Sequence, residues 1–534
     1  MSQDRSPSGT SASYWAPFRV PVFRVVWAAT LASNIATAMR ELAAAWLMTS
    51  LAVSAVAVGL VKAAAALPML LLALPAGVIA DLVDRRRWNL GINTALAIVT
   101  AGIGAAVATD TLTPALLIAA IFITGVGSAL LQPTQQSLTP LLVPREHLEG
   151  AVALNGMGLN LSRALGPALA GALVAAFGLA VAFFANALGY LALIAAFWWW
   201  KGAARQARAG ARESFPGAMA AGLRYVRHAP VLKTVFLRLA AFVFVAAAYW
   251  TLLPVLVKRE LGGPGLYGTM LACVGAGSVI VALTLPWLRA RLAPEAVLRL
   301  GQGATAAVLA LLALTPSAWL AGAVMVVAGM GWLAALTIAN VATQNHLPEW
   351  MRGRGMAMYL MVFAGAMSAG SIAWGALADL LPLRWTLGCA ALAGVAALMI
   401  GLVAPLPDQA PDLQPSQHWW PEPHVAHPVP GERGPVQVSI GYVIDPARAR
   451  EFVAALDALS AERLRDGAYQ WGVFCDVAEP QHYVEVFLLP TWEDYERLRA
   501  RIPRADARLE QAVRGFHRGP GDPVVRHRVA PPRS

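Results

Sequence analysis

Charged residues and cysteines are both scarce in this chain. Asp, Glu, Lys and Arg supply 13% of its 534 residues, whereas 58% are hydrophobic. Soluble domains carry roughly a quarter charged residues, so the chain is not an ordinary soluble enzyme throughout. The three cysteines, Cys273, Cys389 and Cys475, are far apart in sequence, and we expect neither a disulfide framework nor a metal or other cofactor. A GxxxxGK[ST] phosphate-binding loop is also missing, which argues against an ATP-driven pump.

Twelve long apolar runs account for this composition. They cover residues 22–50, 54–80, 88–108, 114–140, 150–176, 179–200, 233–257, 265–288, 296–314, 318–345, 355–378 and 385–405. At a rise of about 1.5 Å per residue, helices of this length match the ~30 Å hydrocarbon core of a lipid bilayer. The sequence therefore predicts an all-α membrane protein with twelve spans, followed by a soluble segment.

Basic residues mark one side of the predicted membrane protein. Fifteen Lys or Arg lie in the turns on the side of the N-terminus, and three lie in the turns on the other side. By the positive-inside rule, this bias places both termini in the cytoplasm. The polar residues 1–17 lack the pattern of a cleaved signal peptide and are expected to be a short cytoplasmic tail. The net charge of +11 thus reflects membrane orientation, and no nucleic-acid partner is expected.

The longest connection between spans divides the membrane region in two. Residues 201–232 are basic and separate a six-helix bundle in residues 1–200 from a second one in residues 233–406. A weak repeat supports the division, since LVPREHLEGAVALNGMGLN after the fourth span is echoed by LPEWMRGRGMAMYLMVFAG after the tenth. Two such halves are expected to enclose a substrate path. Chance similarity between apolar sequences is the alternative explanation of the repeat.

The turn between the second and third spans carries a distinctive charge pattern. In GVIADLVDRRR, Gly77 and Asp81 precede the triplet Arg85, Arg86 and Arg87. The glycine permits close helix approach, and an acid followed by arginines can link one helix end to its neighbour through charge-assisted hydrogen bonds. We predict a conformational latch at this turn. The alternative is that the arginines only fix the topology.

The fifth span contains a charge and a helix-bending pair in NLSRALGPALAG. Gly166 and Pro167 bend the helix and remove a backbone hydrogen bond, and Gly171 allows a neighbouring helix to approach. Arg163 lies near mid-span, where a charge is costly unless it faces the bundle interior or water. We expect Arg163 to line a cavity. A buried structural pair and an ordinary helix kink stay as alternatives.

Polar residues of the first two spans are predicted to face the same cavity. Asn34, Thr37 and Glu41 are spaced to share one helix face, Arg40 precedes Glu41, and Lys62 enters the second span at a similar depth. We expect a Glu41–Lys62 ion pair within the membrane, with Glu41 as the candidate for proton coupling. Amides of the fourth and tenth spans either join helices or bind polar groups of a ligand. These candidates are Gln132, Gln135, Asn340 and Gln344.

The composition changes after the twelfth span. Residues 407–434 are rich in Pro and His and are predicted to be an extended linker. Strict apolar alternation in Val436–Ile444 predicts a half-buried strand, and the later patterns complete the order βαββαβ. Residues 435–530 are therefore predicted to form an α+β ferredoxin-like domain in the cytoplasm. We expect its open sheet face to be covered by a second copy in a homodimer.

These motifs resemble those of the major facilitator superfamily. The pattern from Gly77 to Arg87 is similar to its signature between helices two and three, apart from Leu82 and Asp84, and NLSRALGPALAG resembles the helix-five motif of its antiporters. With AAAWLMTSL and YLMVFAGAMSAGSIAWGALAD, the chain is similar to the transmembrane secretion effector branch, of the enterobactin-exporter type. The block YVEVFLLPTWEDYERLRARIPRADARLEQAVRGFHRG resembles the soluble extension of such transporters. It also resembles small antibiotic-biosynthesis monooxygenase domains, although the usual histidine-bearing segment reads WEDYERLRAR here and lacks histidine.

The resemblance implies secondary active export of a small molecule through the bacterial inner membrane. Proton antiport and a rocker-switch movement of the two halves would drive it. One alternative is a membrane-anchored monooxygenase-type enzyme, for which Tyr442, Cys475, His482 and Glu485 are the candidates. Another is a non-transporting sensor whose soluble domain reports ligand occupancy. The substrate itself does not follow from the sequence, since amides, hydroxyls, aromatic rings and charges all occur along the predicted path.

Overall fold

The computed structural model describes residues 15–52, 54–200, 215–314, 317–407, 411–413, 423–501 and 503–531. Within these ranges, twelve helices are long and apolar enough to cross a membrane, as the apolar runs predict. The first six are α1 (Pro21–Leu51), α2 (Ala55–Leu82), α3 (Arg85–Ala108), α4 (Pro114–Leu142), α5 (Leu148–Phe177) and α6 (Ala180–Trp199). After a shorter helix, α7 (Phe215–His228), the second six are α8 (Pro230–Leu256), α9 (Pro264–Arg289), α10 (Pro294–Leu314), α11 (Ala318–Asn345), α12 (Arg352–Leu380) and α13 (Leu383–Val403).

Local sequence explains where several of these helices begin. Proline occupies the first turn of α1, α4 and α9, where its missing N–H is not needed and its fixed φ suits a helix. The Thr113 side chain caps α4 by accepting a hydrogen bond from Leu116 N at 3.2 Å. The Asp84 side chain caps α3 by accepting a hydrogen bond from Arg87 N at 2.8 Å. These signals lie in the turns, so the apolar runs between them form separate spans.

The described residues of 1–212, 237–340 and 357–405 form one compact unit that contains both helical halves. In the amino-terminal half, α3 packs against α6, α1 packs against α5 and α6, and α2 packs against α4. In the carboxyl-terminal half, α10 packs against α13. The halves meet where α5 packs against α9, and one apolar cluster extends through both.

We call the end of this bundle that contains the α1–α2 turn the distal end, and the end that contains the α2–α3 turn the proximal end. At the proximal end, Arg86 on α3 donates hydrogen bonds to the Phe197 and Trp198 carbonyls in the last turn of α6, at 2.7 and 2.9 Å. Arg299 on α10 donates to the Gly401 carbonyl in the last turn of α13, at 2.8 Å. The sixth span of each half is thus capped by an arginine, which is favourable at a helix C-terminus.

The described residues of 213–236, 341–356 and 406–534 form a second compact unit. Its α+β domain contains β1 (Val436–Val443), α14 (Ala449–Asp466), β2 (Gln470–Cys475), β3 (His482–Leu489), α15 (Trp492–Arg501), α16 (Arg504–Arg514) and β4 (Val524–Val529). The sheet order is β2-β3-β1-β4, with each pair of neighbours antiparallel. The predicted order βαββαβ is therefore observed, with the second helical segment divided into two helices, the later of which begins after Pro503.

Strand alternation decides which sheet face is buried. Val436, Val438, Ile440 and Tyr442 on β1 are at most 2% exposed and belong to one apolar cluster with Phe452 on α14. Residues of the opposite parity face the other way. Phe474 on β2 and Val524 on β4 are 61% and 58% exposed on that face.

Helix α7 lies in the segment 201–232, for which the sequence analysis predicts only a basic connection. Its Tyr225 forms a small apolar cluster with Leu232, Leu347 and Met351 of the same unit. Helix α7 also packs against α14, where the Arg465 guanidinium lies 5.4 Å from the centroid of the Tyr225 ring. The soluble domain therefore contacts a helix that precedes the second set of spans.

Candidate transport path

Charged side chains come together inside the amino-terminal half. The charge of Glu41 on α1 acts on Lys62 of α2 and on Arg163 of α5, and the charge of Arg40 also acts on Lys62. Glu41 and Arg163 are exposed and Lys62 is half-buried, although each lies well within a span. These groups therefore border open space and not packed core. With three positive charges and one negative charge, the cluster has a net positive field.

Arg40 is the buried member of this cationic cluster. It is 4% exposed, and its Nη1 donates a hydrogen bond to Thr124 Oγ1 on α4 at 3.3 Å. Among the described groups, its Nε has no hydrogen-bond partner. A buried guanidinium held by one long hydrogen bond is costly unless an anion or water is close. Arg40 thus adds positive potential at the depth where Glu41 and Lys62 lie.

The predicted Glu41–Lys62 ion pair does not form as a direct contact. Within the described part of the chain, the two side chains interact through their charges but are not at ion-pair distance. The reason is the direction of Lys62, whose Nζ lies 5.8 Å from the centroid of the Trp250 ring on α8. At this distance an ammonium group is attracted to the face of an indole. Lys62 therefore links the amino-terminal half to the carboxyl-terminal half.

Trp250 belongs to an aromatic cluster that the sequence analysis did not identify. Trp332 on α11 is its centre, with ring centroids 5.5 Å from Trp250, 6.4 Å from Tyr249, 5.9 Å from Phe242 and 6.0 Å from Phe363 on α12. Trp250 and Trp332 are half-buried. Trp and Tyr usually favour the membrane interfaces, so their position within apolar spans is a signal that sequence reasoning could have used.

The predicted polar face of α1 is divided between two roles. Asn34 is half-buried, whereas Thr37 accepts a hydrogen bond from Asn186 Nδ2 on α6 at 3.1 Å. Thr37 thus joins two helices of one half, and its place on the transport path stays a prediction. Of the predicted amides, Gln132 and Asn340 are half-buried and Gln135 and Gln344 are exposed.

Small residues of α5 let this helix pack closely against α1 of its own half and against α9 of the other half. A Cβ on Gly166 would lie 2.6 Å from Ala38 Cβ on α1, and a Cβ on Gly171 would lie 3.0 Å from Gly268 Cα on α9. Pro167 lies between them inside the helix. The glycines of the antiporter-like motif therefore allow the α1–α5 contact and the α5–α9 contact, and the second of these joins the two halves.

Asp379 of the carboxyl-terminal half holds the start of α2 at the distal end. Its carboxylate, near the end of α12, accepts hydrogen bonds from Ala55 N at 2.6 Å, from Val56 N at 3.2 Å and from the Ser54 hydroxyl. A negative charge is favourable at a helix N-terminus, where backbone N–H groups lack partners within the helix.

Lys258 makes the complementary contact with the end of α1. This residue follows α8, and its Nζ donates hydrogen bonds to the Thr49 carbonyl at 2.5 Å and to Ser50 Oγ at 3.3 Å. A positive charge is favourable at a helix C-terminus. Asp379 and Lys258 together bind the two helix termini that flank the α1–α2 turn, and we call this pair the distal gate.

The structure describes part of the predicted latch at the proximal end. Arg85 and Arg86 are half-buried and Arg87 is exposed, and Arg86 binds the end of α6 as described above. A Cβ on Gly77 would meet no atom of the described residues within 4 Å, so these residues show no close packing against α2 at this point. The side chain of Asp81 lies outside the described residues. The latch as a whole stays a prediction.

Comparison with known proteins identifies the family. The model of the transmembrane secretion effector family matches residues 12–534. The chain belongs to this family. It is 25% identical over 391 residues to the enterobactin exporter EntS of Salmonella typhimurium, a match that covers 72% of this chain and 91% of that protein. It is also 25% identical over 243 residues to the staphyloferrin A transporter of Staphylococcus aureus, a match that covers 45% of this chain and 61% of that protein, or less than two thirds of its length.

Solved transporters share the fold. A bacterial homolog of the human lysosomal transporter Spinster, in an inward-facing and occupied conformation, matches with a TM-score of 0.58 at 14% identity, over 73% of this chain and 97% of that one. The D323A mutant of the nucleoside transporter NupG matches with a TM-score of 0.60 at 14% identity, over 72% of this chain and 99% of that one. These structures show the fold alone. The family match, the exporter relatives and the twelve apolar helices together identify the protein as a multi-pass membrane transporter of the major facilitator superfamily.

The transporter has a second buried charge cluster, which the sequence analysis did not identify. Arg238 on α8 is 1% exposed and donates hydrogen bonds to Glu295 and, at 3.1 Å, to Gln302 Oε1 on α10. Arg299 Nε donates to the other Glu295 oxygen at 2.5 Å. Both arginines contact the Glu295 carboxylate directly, so this cluster joins helices of the carboxyl-terminal half.

The soluble domain contains a buried ionic network. Arg463 Nη1 donates to Glu510 Oε1 at 2.5 Å and Arg463 Nε donates to Glu485 Oε1 at 3.4 Å. The Tyr442 hydroxyl and Trp471 Nε1 also donate to Glu485, at 3.2 and 3.1 Å. Burial, with the negative charge of Glu485, raises the pKa of Tyr442, so its hydroxyl stays protonated as a donor. Tyr442 and Glu485 therefore stabilise the core.

The other two enzyme candidates lie apart from this network. Cys475 is exposed, and its thiol donates to the Pro480 carbonyl at 3.4 Å. His482 Nδ1 lies 2.6 Å from the Glu479 carboxylate. Within the described residues, no group of three or more His, Cys, Asp and Glu side chains could hold a metal ion. The four candidates are thus not assembled into one catalytic constellation.

Proposed function

We propose that the transporter exports an amphipathic small molecule across the bacterial inner membrane, in antiport with protons. Both termini lie in the cytoplasm, and the distal end faces the opposite side, because fifteen basic residues lie in the turns on the N-terminal side and three in the others. One observation carries the proposal. The distal gate ties the halves together at one end, while Glu41 and Arg163 stay exposed within the spans.

Alternating access then requires the distal gate to open while the other end closes. Release of the α1–α2 hairpin by Asp379 and Lys258 would expose the cationic cluster to the far side of the membrane. The arginine turn at Arg85–Arg87 is proposed to latch one of the two states. The halves would thus rock about the midplane path.

Glu41 is the proposed coupling carboxylate. It is the acid of the cluster, and protonation of Glu41 would change the net charge of the four side chains from +2 to +3. Protonation of Glu41 would also remove its attraction for Lys62 and Arg163, so that the protonated protein and the substrate-bound protein would favour different arrangements of the two halves. The alternative is a fixed structural role for Glu41 beside Lys62 and Arg163.

Transport by Glu41→Gln in lipid vesicles tests the proposal. The substrate panel should contain enterobactin and staphyloferrin A, the compounds for which two relatives are named, together with unrelated amphipathic compounds. With an imposed pH gradient, we expect the natural protein to accumulate a substrate and Glu41→Gln only to equilibrate it. Asp110→Asn, in the exposed α3–α4 turn, is the matched control. Gradient-driven accumulation by Glu41→Gln would exclude Glu41 as the coupling group, and a flux of every compound that ignores the pH gradient would contradict antiport.

We also propose that the soluble domain is ferredoxin-like and pairs with a second copy. Its strand order, with helices after β1 and β3, supports the first part, and the exposed Phe474 and Val524 on one sheet face support the second. A monooxygenase role is less well supported, because Tyr442 and Glu485 are engaged in the buried network.

A further inference from the structure

Two kinds of side chain face each other across the centre of the transporter. The amino-terminal half supplies cations, with Lys62 and Arg163 acting together with the single carboxylate of Glu41. The carboxyl-terminal half supplies rings, with Trp250 next to Trp332 at 5.5 Å. The Lys62 ammonium over Trp250, at 5.8 Å, is the point where the two sets meet.

Among the residues that the structure describes, the cationic side has fewer negative than positive charges. Arg40, Lys62 and Arg163 carry three positive charges against one negative charge on Glu41, at a depth where unbalanced charge is unfavourable. An acidic group of a ligand would restore the balance and would be held by charge-assisted hydrogen bonds. A cationic ligand would add to the imbalance, so the field selects against it.

The aromatic side has polar groups without partners. Among the described groups, Trp250 Nε1 and Thr251 Oγ1 are buried and form no hydrogen bond. The Tyr249 hydroxyl lies next to the Trp250 indole, but without hydrogen-bonding geometry. The half-buried faces of Trp250 and Trp332 suit a flat ring, which would pack by offset or edge-to-face contact.

We infer that Lys62 and Trp250 form the centre of a binding site for anions that carry an aromatic ring. The acidic group binds on the side of Lys62 and Arg163, and the ring packs against Trp250 and Trp332. Such a ligand replaces the Lys62–Trp250 contact and touches both halves at once. The inference deepens the proposed export function and rests on it for the meaning of the site, but binding can be measured without transport.

A matched set of four compounds separates charge from aromaticity. The probes are 2-naphthoate, the neutral 2-naphthamide, the cationic 2-naphthylmethylammonium and the non-aromatic decahydro-2-naphthoate. Binding to the full chain is measured by calorimetry in phosphatidylcholine nanodiscs, so that anionic lipid does not compete. We expect 2-naphthoate to bind at least about tenfold more tightly than each of the other three.

Variants then assign the two parts of the site. Lys62→Gln should weaken the binding of 2-naphthoate about tenfold and change the affinity for 2-naphthamide by no more than about twofold. Lys62→Arg should retain most of the preference for 2-naphthoate over 2-naphthamide. Trp250→Leu should weaken the binding of 2-naphthoate and 2-naphthamide and leave the affinity for decahydro-2-naphthoate nearly unchanged. The control is a second cation over a ring at the same distance, Arg384 and Trp385 at the start of α13, 5.8 Å apart. Arg384→Gln and Trp385→Leu should change neither the preference for 2-naphthoate over 2-naphthamide nor the preference for 2-naphthoate over decahydro-2-naphthoate.

The outcomes separate this site from the export proposal. Equal binding of the naphthoate and the naphthamide, no binding of 2-naphthoate at millimolar concentration, or equal weakening of both by Lys62→Gln would each overturn the site. The expected binding pattern in a protein that moves no compound across vesicles would leave the site standing and remove export. Thermal unfolding of each variant, compared with the natural protein, shows whether a loss of binding is only a loss of folding, and Lys62→Arg repeats the test with the charge retained.

Discussion

The distal gate can be weakened by one change that keeps its shape. Asp379→Asn keeps one acceptor oxygen for the backbone of α2 but removes the negative charge that binds Ala55 N and Val56 N. A charge at a helix N-terminus contributes about 0.3–1 kcal/mol, and up to ~2 kcal/mol when partly buried. Hydrogen bonds to charged groups contribute about 1.5–3 kcal/mol, part of which the amide retains. We therefore expect the closed distal end to lose about 1–2 kcal/mol, which changes its ratio to the open state by a factor of about 5–30.

Distances between spin labels on the two halves measure this ratio. The native Cys273, Cys389 and Cys475 are first replaced by serine, and labels are attached at the exposed positions Thr111 and Leu381. Asp379→Asn should increase the population with a long distance between the labels. Asp379→Glu, which keeps the charge, should increase it less, and Glu260→Gln, which changes an exposed carboxylate near Lys258, should leave it unchanged. An unchanged distance distribution in Asp379→Asn would refute the assignment of this carboxylate to the gate.

Two further predictions concern the proximal end and the soluble domain. Asp81→Asn should impair vesicle transport while membrane insertion and expression stay near normal, because the change removes only the charge of the predicted latch, and undiminished transport would exclude the latch. Residues 430–534 expressed alone should be a folded dimer in solution scattering, since pairing would cover Phe474 and Val524. A disordered monomer would contradict both the fold and the pairing.

The sequence predicted the elements because their signals are local. Apolar length located the twelve spans, and strict alternation located β1, whose Val436, Val438 and Ile440 are completely buried. Helix α7 was missed because its segment was judged by its basic charge and not by its helical period.

The contacts of the candidate site could not be read in the same way. Asp379 lies 325 residues from Ser54, and Lys258 lies 209 residues from Thr49, so only the fold brings them together. Charges at the ends of apolar runs are ordinary marks of topology, and rings inside such runs mark unusual positions without showing which helices they contact. Lys62 was predicted to face the cavity and to pair with Glu41, whose charge does act on it. Its contact with Trp250 on α8 of the other half was missed, since only the fold brings these helices together.

The gate and the central site share two helices, and this links them mechanically. Lys62 lies seven residues after Ala55 on α2, about 10 Å along the helix from the backbone that Asp379 binds. Trp250 lies eight residues before Lys258, about 12 Å along α8 from the end of the hairpin contact. If a ligand that enters between Lys62 and Trp250 separates α2 from α8, we expect the same movement to weaken the contacts of Ala55 with Asp379 and of Thr49 with Lys258. A ligand that binds one half alone separates nothing, so only a compound with both an acidic group and a ring would use its binding energy to loosen the gate.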